Sequence, residues 1–115
     1  MKVFSEKPKV LVVCGRNKRR SRTAEYLFKN DSRFEIRSAG LSSKSDVQVS
    51  QKLIDWADIL LVMDNGQRNR INATYAQRPD IHILDIEDEY EYLDQELIDM
   101  LTTRINFILD KCFGL

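Results

Sequence analysis

Between Val10 and Glu25 the chain reads VLVVCGRNKRRSRTAE, and this stretch limits the fold more than any other. The four consecutive apolar residues 10–13 read as a buried strand. A cysteine, Cys14, ends it; five residues intervene before Arg20 and Ser21, and Thr23-Ala24-Glu25-Tyr26-Leu27-Phe28 then turns helical. A strand, a loop and a helix in this order aim backbone N–H groups and a helix N-terminus at an anion. The thiolate is the nucleophilic form of cysteine, and helix N-termini and cationic side chains favour it. The loop thus joins an anion cradle to a nucleophile.

The spacing has a mechanical reading. Cys14 attacks phosphorus while the amides of residues 15–21 hold the non-bridging oxygens. Arg20 offers a planar fork that grips two oxygens at once, which a lysine cannot do. Ser21 donates its hydroxyl to the Cys14 sulfur. Asn17 is of a residue type that tolerates left-handed backbone angles, useful in a tight loop. The plainer alternative is a buried cysteine followed by a basic surface turn. The apolar run before Cys14, and the serine and helix after Arg20, favour the functional reading.

Residues 14–25 resemble the phosphate loop of the low-molecular-weight protein tyrosine phosphatases. Three further pieces resemble that family in the right order: Arg37-Ser38-Ala39-Gly40 its turn after the second strand, residues 58–64 its third strand and acidic turn, and Ile86-Glu87-Asp88-Glu89-Tyr90 the loop carrying its general acid. The resemblance implies Cys14 as nucleophile, Arg20 as the group that stabilises the equatorial oxygens, and Asp88 as acid and then base. It implies Gly15, Arg16, Asn17, Lys18, Arg19 and Ser21 as the substrate cradle. Four departures stand out. Glu89 and Arg22 replace prolines common in the family, Arg19 replaces a second loop cysteine, and the segment between Gly40 and Asp58 is short, omitting a helix and an aromatic residue that often lines the pocket. A neighbouring thiol is therefore not expected to protect Cys14 from peroxide.

The rest of the chain alternates strands and helices. Strands are expected over 9–13, 34–38, 59–63 and 81–84, and helices over 21–29, 51–56, 67–77 and 95–112, with 41–49 and 85–92 as loops and 1–9 as a loose leader. Ser50 is placed to cap the second helix. Alternation of this kind builds an α/β fold, a small doubly wound sheet of four parallel strands (order 2-1-3-4) with helices on both faces. Ligands of such sheets bind beyond the carboxyl ends of the strands. Cys14, Gly40, Asp64 and Asp88 all lie just after strands, so topology and motif select one edge.

Composition sets outer limits. The 115 residues suit one domain, 1–115, and an apolar fraction of 43% can fill its core. With 18 basic and 18 acidic residues the net charge is zero, which gives no global attraction to nucleic acid or membrane. The start, MKVFSEKPK, lacks the apolar centre of a secretory signal, and no apolar run is long enough to span a membrane. Two cysteines make no disulfide framework, so a reducing, cytoplasmic setting is expected. Charge is nevertheless segregated: five basic residues lie between Cys14 and Arg22, and eight acidic ones with no basic residue between Asp85 and Asp99. If Asp88 meets the phosphate loop, the two tracts attract across the site.

Other candidates rank lower. Asp85 is the alternative acid, and Asp64 shapes a turn. Tyr90 is expected as a pocket wall against an aromatic leaving group, with packing on the last helix as its alternative; Tyr92 has the same two options. Trp56 and His82 read as packed residues, and Cys112 falls on the apolar stripe of the last helix. No cluster has metal-ligand spacing, so neither metal nor cofactor is expected. The reading is a monomeric phosphomonoesterase acting through a phosphocysteine on a phosphorylated protein or small phosphoester, phosphotyrosine or aryl phosphate. The alternatives are a phosphate- or phosphoprotein-binding module without hydrolysis and an arsenate reductase-like enzyme.

Overall fold

The computed structural model of the protein describes residues 7–115. Four strands, β1 (Lys9–Cys14), β2 (Glu35–Gly40), β3 (Ile59–Val62) and β4 (Ile81–Ile83), form one parallel sheet in the order β2-β1-β3-β4. Helices α1 (Arg20–Phe28), α2 (Gln51–Trp56), α3 (Asn65–Thr74) and α4 (Gln95–Phe113) connect and cover them. Strand order and direction agree with the sequence expectation. Of the leader expected over 1–9, residues 1–6 lie outside the described residues, and Lys9 already belongs to β1.

Side-chain alternation along β1 divides the interior into two layers. Val10, Val12 and Cys14 point to one face, where Ala24 and Phe28 of α1 and Leu97, Leu101, Ile105 and Leu109 of α4 cover them. Leu11 and Val13 point to the other, against Ile54 of α2 and Ile71 of α3. A strand buried on both faces has no polar side to show, which accounts for the unbroken apolar runs of β1 and β3.

Several boundaries shift for identifiable reasons. Helix α3 starts two residues before the expected position because the Asp64 carboxylate accepts the Gln67 N–H at 2.8 Å and so caps it. Phe34 stays outside β2; its ring packs on Phe28, with centroids 5.4 Å apart. Within the expected loop 41–49, Gly40 pairs with Gln48 beside the sheet edge and Val49 is buried.

One placement is corrected. Cys112 is exposed rather than part of the α4 stripe, and its Sγ lies 3.5 Å from His82 Nε2. The buried row of α4 advances by four residues, 97, 101, 105 and 109, and Phe113 continues it against the core, leaving Cys112 at the rim. Among the described residues, no helix is long and apolar enough to cross a membrane.

Candidate active site

The loop between β1 and α1 is shaped by a buried hydrogen-bond network centred on Asn17. Asn17 has φ +57°, the left-handed conformation expected of it. Its side-chain oxygen accepts the Val47 N–H at 3.3 Å, which turns the amide nitrogen toward Ser21 Oγ and Ser38 Oγ, each 2.9 Å away. The Ser38 hydroxyl in turn donates to Glu25 Oε1 at 2.8 Å. Ser21 accepts from Asn17, so its proton is free to point at the Cys14 sulfur, 2.9 Å away. The Asn17 N–H donates to the same sulfur at 3.2 Å. Two donors thus converge on Cys14 Sγ.

The loop is held from behind by the extension of β2. Leu41 N–H donates to the Cys14 carbonyl at 3.0 Å and Ser42 N–H to the Gly15 carbonyl at 2.8 Å. Gly40 lies so close beneath the loop that a Cβ there would stand 2.7 Å from the Asn17 nitrogen and 2.8 Å from the Arg16 carbonyl carbon. Only glycine admits that approach without moving the backbone.

Helix α1 differs from its three companions at the N-terminus. Ser50, Asp64 and Asp94 each cap their helix with a side-chain oxygen, whereas α1 has no side-chain cap. Its first N–H groups have no intrahelical partner, which is the ordinary condition for binding an anion.

Arg20 is buried, with its side chain 5% exposed. Its Nη1 donates to the Ile86 carbonyl at 2.7 Å, and its Nε lies 3.6 Å from Asp88 Oδ1. Asp88 is 69% exposed and shares with Arg20 a cleft of about 440 Å³. Arg19 approaches Glu91 at 3.9 Å, so the basic and acidic tracts do meet here.

The Asp88 loop is fastened at both ends. Arg104 of α4 donates to the carbonyls of Leu84 and Asp85, at 2.8 and 2.6 Å. At the far end, the Leu93 N–H donates to Thr23 Oγ1 of α1 at 3.1 Å. Asp85 and Leu93, at φ +57° and +63°, mark where the chain turns into and out of the loop.

The structure brings Cys14, Arg20 and Asp88 to one cleft, together with Gly15, Arg16, Lys18 and Arg19. Asn17 and Ser21 lie fully buried beneath it and act on the sulfur rather than on the opening. Tyr90 is not at the cleft. It packs against the core layer that α1 and α4 share with the sheet, and burial, aided by the nearby Glu96 carboxylate, pushes its phenol above the ordinary value. The expected pocket wall thus gives way to its packing alternative. Tyr92 lines a separate groove with Arg22 and Tyr26. Two residues that the sequence reading missed line the cleft, Ser42 from the β2 extension and Arg70 from α3. Among the described residues, no group of three or more His, Cys, Asp or Glu side chains is arranged to hold a metal.

No protein-family model and no curated protein sequence matches the chain. Solved structures do. The arginine phosphatase YwlE of Geobacillus stearothermophilus is 24% identical, with 90% of this chain and 92% of that chain covered and a TM-score of 0.71. The tyrosine phosphatase Wzb of Escherichia coli K30, solved with phosphate, is 20% identical over 92% and 99% of the two chains, with a TM-score of 0.72. A thioredoxin-dependent arsenate reductase of Corynebacterium glutamicum is 23% identical over 95% of this chain and 63% of its own, with a TM-score of 0.65. The chain has the fold of the low-molecular-weight tyrosine phosphatases.

Proposed function

We propose that the protein is a phosphomonoester hydrolase of the low-molecular-weight tyrosine phosphatase type, acting through a phosphocysteine on phosphotyrosine or aryl phosphate. The observation that carries this reading is the convergence of the Asn17 N–H and Ser21 Oγ on Cys14 Sγ, at the mouth of an uncapped helix and in one cleft with Arg20 and Asp88. The Cys14 thiolate forms an S–P bond as the P–O bond to the leaving group breaks. Loop amides and the Arg20 guanidinium hold the equatorial oxygens, where preorganised donors act most strongly. Asp88 gives its proton to the departing oxygen. The resulting carboxylate takes a proton from water, whose oxygen attacks phosphorus; the S–P bond breaks and orthophosphate leaves.

Arsenate reduction on the same fold would need a further thiol to reach Cys14. The second cysteine of this chain, Cys112, lies near the end of α4 opposite its Asp94 cap, beside His82 rather than the cleft.

The test is phosphate release from p-nitrophenyl phosphate across pH by the natural chain, Cys14→Ser and Asp88→Asn. Turnover abolished in Cys14→Ser with orthophosphate affinity kept, and an acid-donor limb altered in Asp88→Asn, is the expected result. Equal turnover in Cys14→Ser would overturn the mechanism; orthophosphate binding with no turnover by the natural chain would favour a recognition module.

A further inference from the structure

The cleft around Cys14 carries more positive charge than a single phosphate requires. Its lining includes five cationic side chains, Arg16, Lys18, Arg19, Arg20 and Arg70, against one carboxylate, Asp88. The whole chain has 18 of each sign, so this excess is local. Arg20 is committed to the reacting phosphate and to the Ile86 carbonyl, and Arg19 has Glu91 nearby. Arg16 and Lys18 on the loop and Arg70 on α3 have no ion-pair partner among the described residues. Two separate elements therefore turn unpaired cations toward the same opening.

Among the described residues, no aromatic side chain lines the cleft to hold an aryl ring: Tyr90 packs on the core and Tyr92 lines another groove. A phosphotyrosine bound here gains little from stacking and has to be held by charge. A phosphoarginine would bring a guanidinium into a cluster of like charges, an arrangement that costs affinity.

Accepting the phosphatase reading above, we propose that the substrate is a phosphotyrosyl segment flanked by acidic residues, whose carboxylates meet Arg16, Lys18 and Arg70. Clefts lined by one sign of charge raise the encounter rate of oppositely charged ligands by roughly 10–1000-fold, and salt weakens that gain. The expected pattern is a preference in kcat/KM, concentrated in KM.

The experiment compares three phosphotyrosyl peptides of equal length with two flanking Asp, Ala or Lys residues, at low and at physiological salt. The acidic peptide should exceed the neutral one by about tenfold in kcat/KM at low salt, the basic one should fall below it, and the spread should narrow as salt rises. Arg70→Glu, on α3 and outside the loop, should reduce the acidic preference, and Arg70→Lys should restore most of it. Equal kcat/KM for the three peptides, or a spread unchanged in Arg70→Glu, would overturn the proposal. The two readings fail separately: no turnover of p-nitrophenyl phosphate rejects the phosphatase, whereas turnover of that ester with no peptide discrimination rejects only the acidic substrate.

Discussion

Arg20 Nη1 donates to the Ile86 carbonyl at 2.7 Å, and Ile86 stands two residues before Asp88. The guanidinium proposed to hold the phosphate is thereby tied to the segment that carries the proposed acid. Ile86 is itself buried and its N–H donates to the Met63 carbonyl at 3.0 Å, so the tie runs on into the sheet. Two steps of the proposed chemistry, charge stabilisation and proton donation, share one anchor.

Arg20→Lys keeps the charge but cannot hold the Ile86 carbonyl and fork two phosphate oxygens together. We expect kcat on p-nitrophenyl phosphate to fall by about 100-fold or more, within the range for losing one preorganised donor. Steady-state kinetics alongside a thermal melt separates this from unfolding; a loss below threefold would count against the role.

Asn17 has three side-chain hydrogen bonds, two of them buried, and a positive φ. Asn17→Ala loses the bonds and strains the backbone, while Asn17→Gly loses the bonds alone. Both should lose stability, by about 1–3 kcal/mol for the stranded partners, with alanine worse by roughly a further 1 kcal/mol. Urea denaturation measures the difference, and alanine equal to glycine would remove backbone strain from the account.

Arg104 reaches neither the cleft nor Cys14, yet it pins the carbonyls that open the Asp88 loop. As a positioning residue it should matter most when protonation of the leaving group limits the rate. Arg104→Ala is expected to lower kcat several-fold on an alkyl phosphate and less on p-nitrophenyl phosphate, whose leaving group needs little help. Equal losses on both esters would point to a purely structural role.

The Asp31 carboxyl is held below its ordinary 3.8, first by the side-chain hydrogen bond from Arg33, at 2.8–2.9 Å. A carboxyl depressed in the folded state adds stability that is present above its unfolded value and is lost as pH falls through the folded one. Asp31→Asn should therefore lower the melting temperature slightly at pH 6, and the difference should shrink as pH falls below the ordinary 3.8 and through the lowered folded-state value, since partly exposed pairs are worth under about 1 kcal/mol. Parallel melting curves at every pH would refute the linkage.

The turn from β1 into α1 and the sheet were legible in the sequence because each rests on local pattern: apolar runs for β1 and β3, a serine and a helix after Arg20, a four-residue advance along α4. What escaped depends on tertiary placement. Arg70 sits on a polar helix among other surface residues, and only the position of α3 beside the carboxyl ends of the strands brings it to the cleft. The Ile86 carbonyl is a backbone group, invisible to residue type. Tyr90 satisfied either a wall or a core contact equally well, and proximity to Asp88 in sequence gave no reason to choose the core. Cys112 fits a helical repeat at a spacing of three from Leu109, where the buried row advances by four.

The contacts that shape the loop have a consequence for timing. Leu41, Ser42, Ser38 and Val47 engage it through hydrogen bonds made within the protein, and Gly40 packs directly beneath it. Its conformational entropy is thus surrendered once, when the chain folds, and not again at each catalytic cycle. In the proposed reaction, phosphate entry then requires little rearrangement of the cradle, whereas the longer segment bearing Asp88 turns at Asp85 and Leu93.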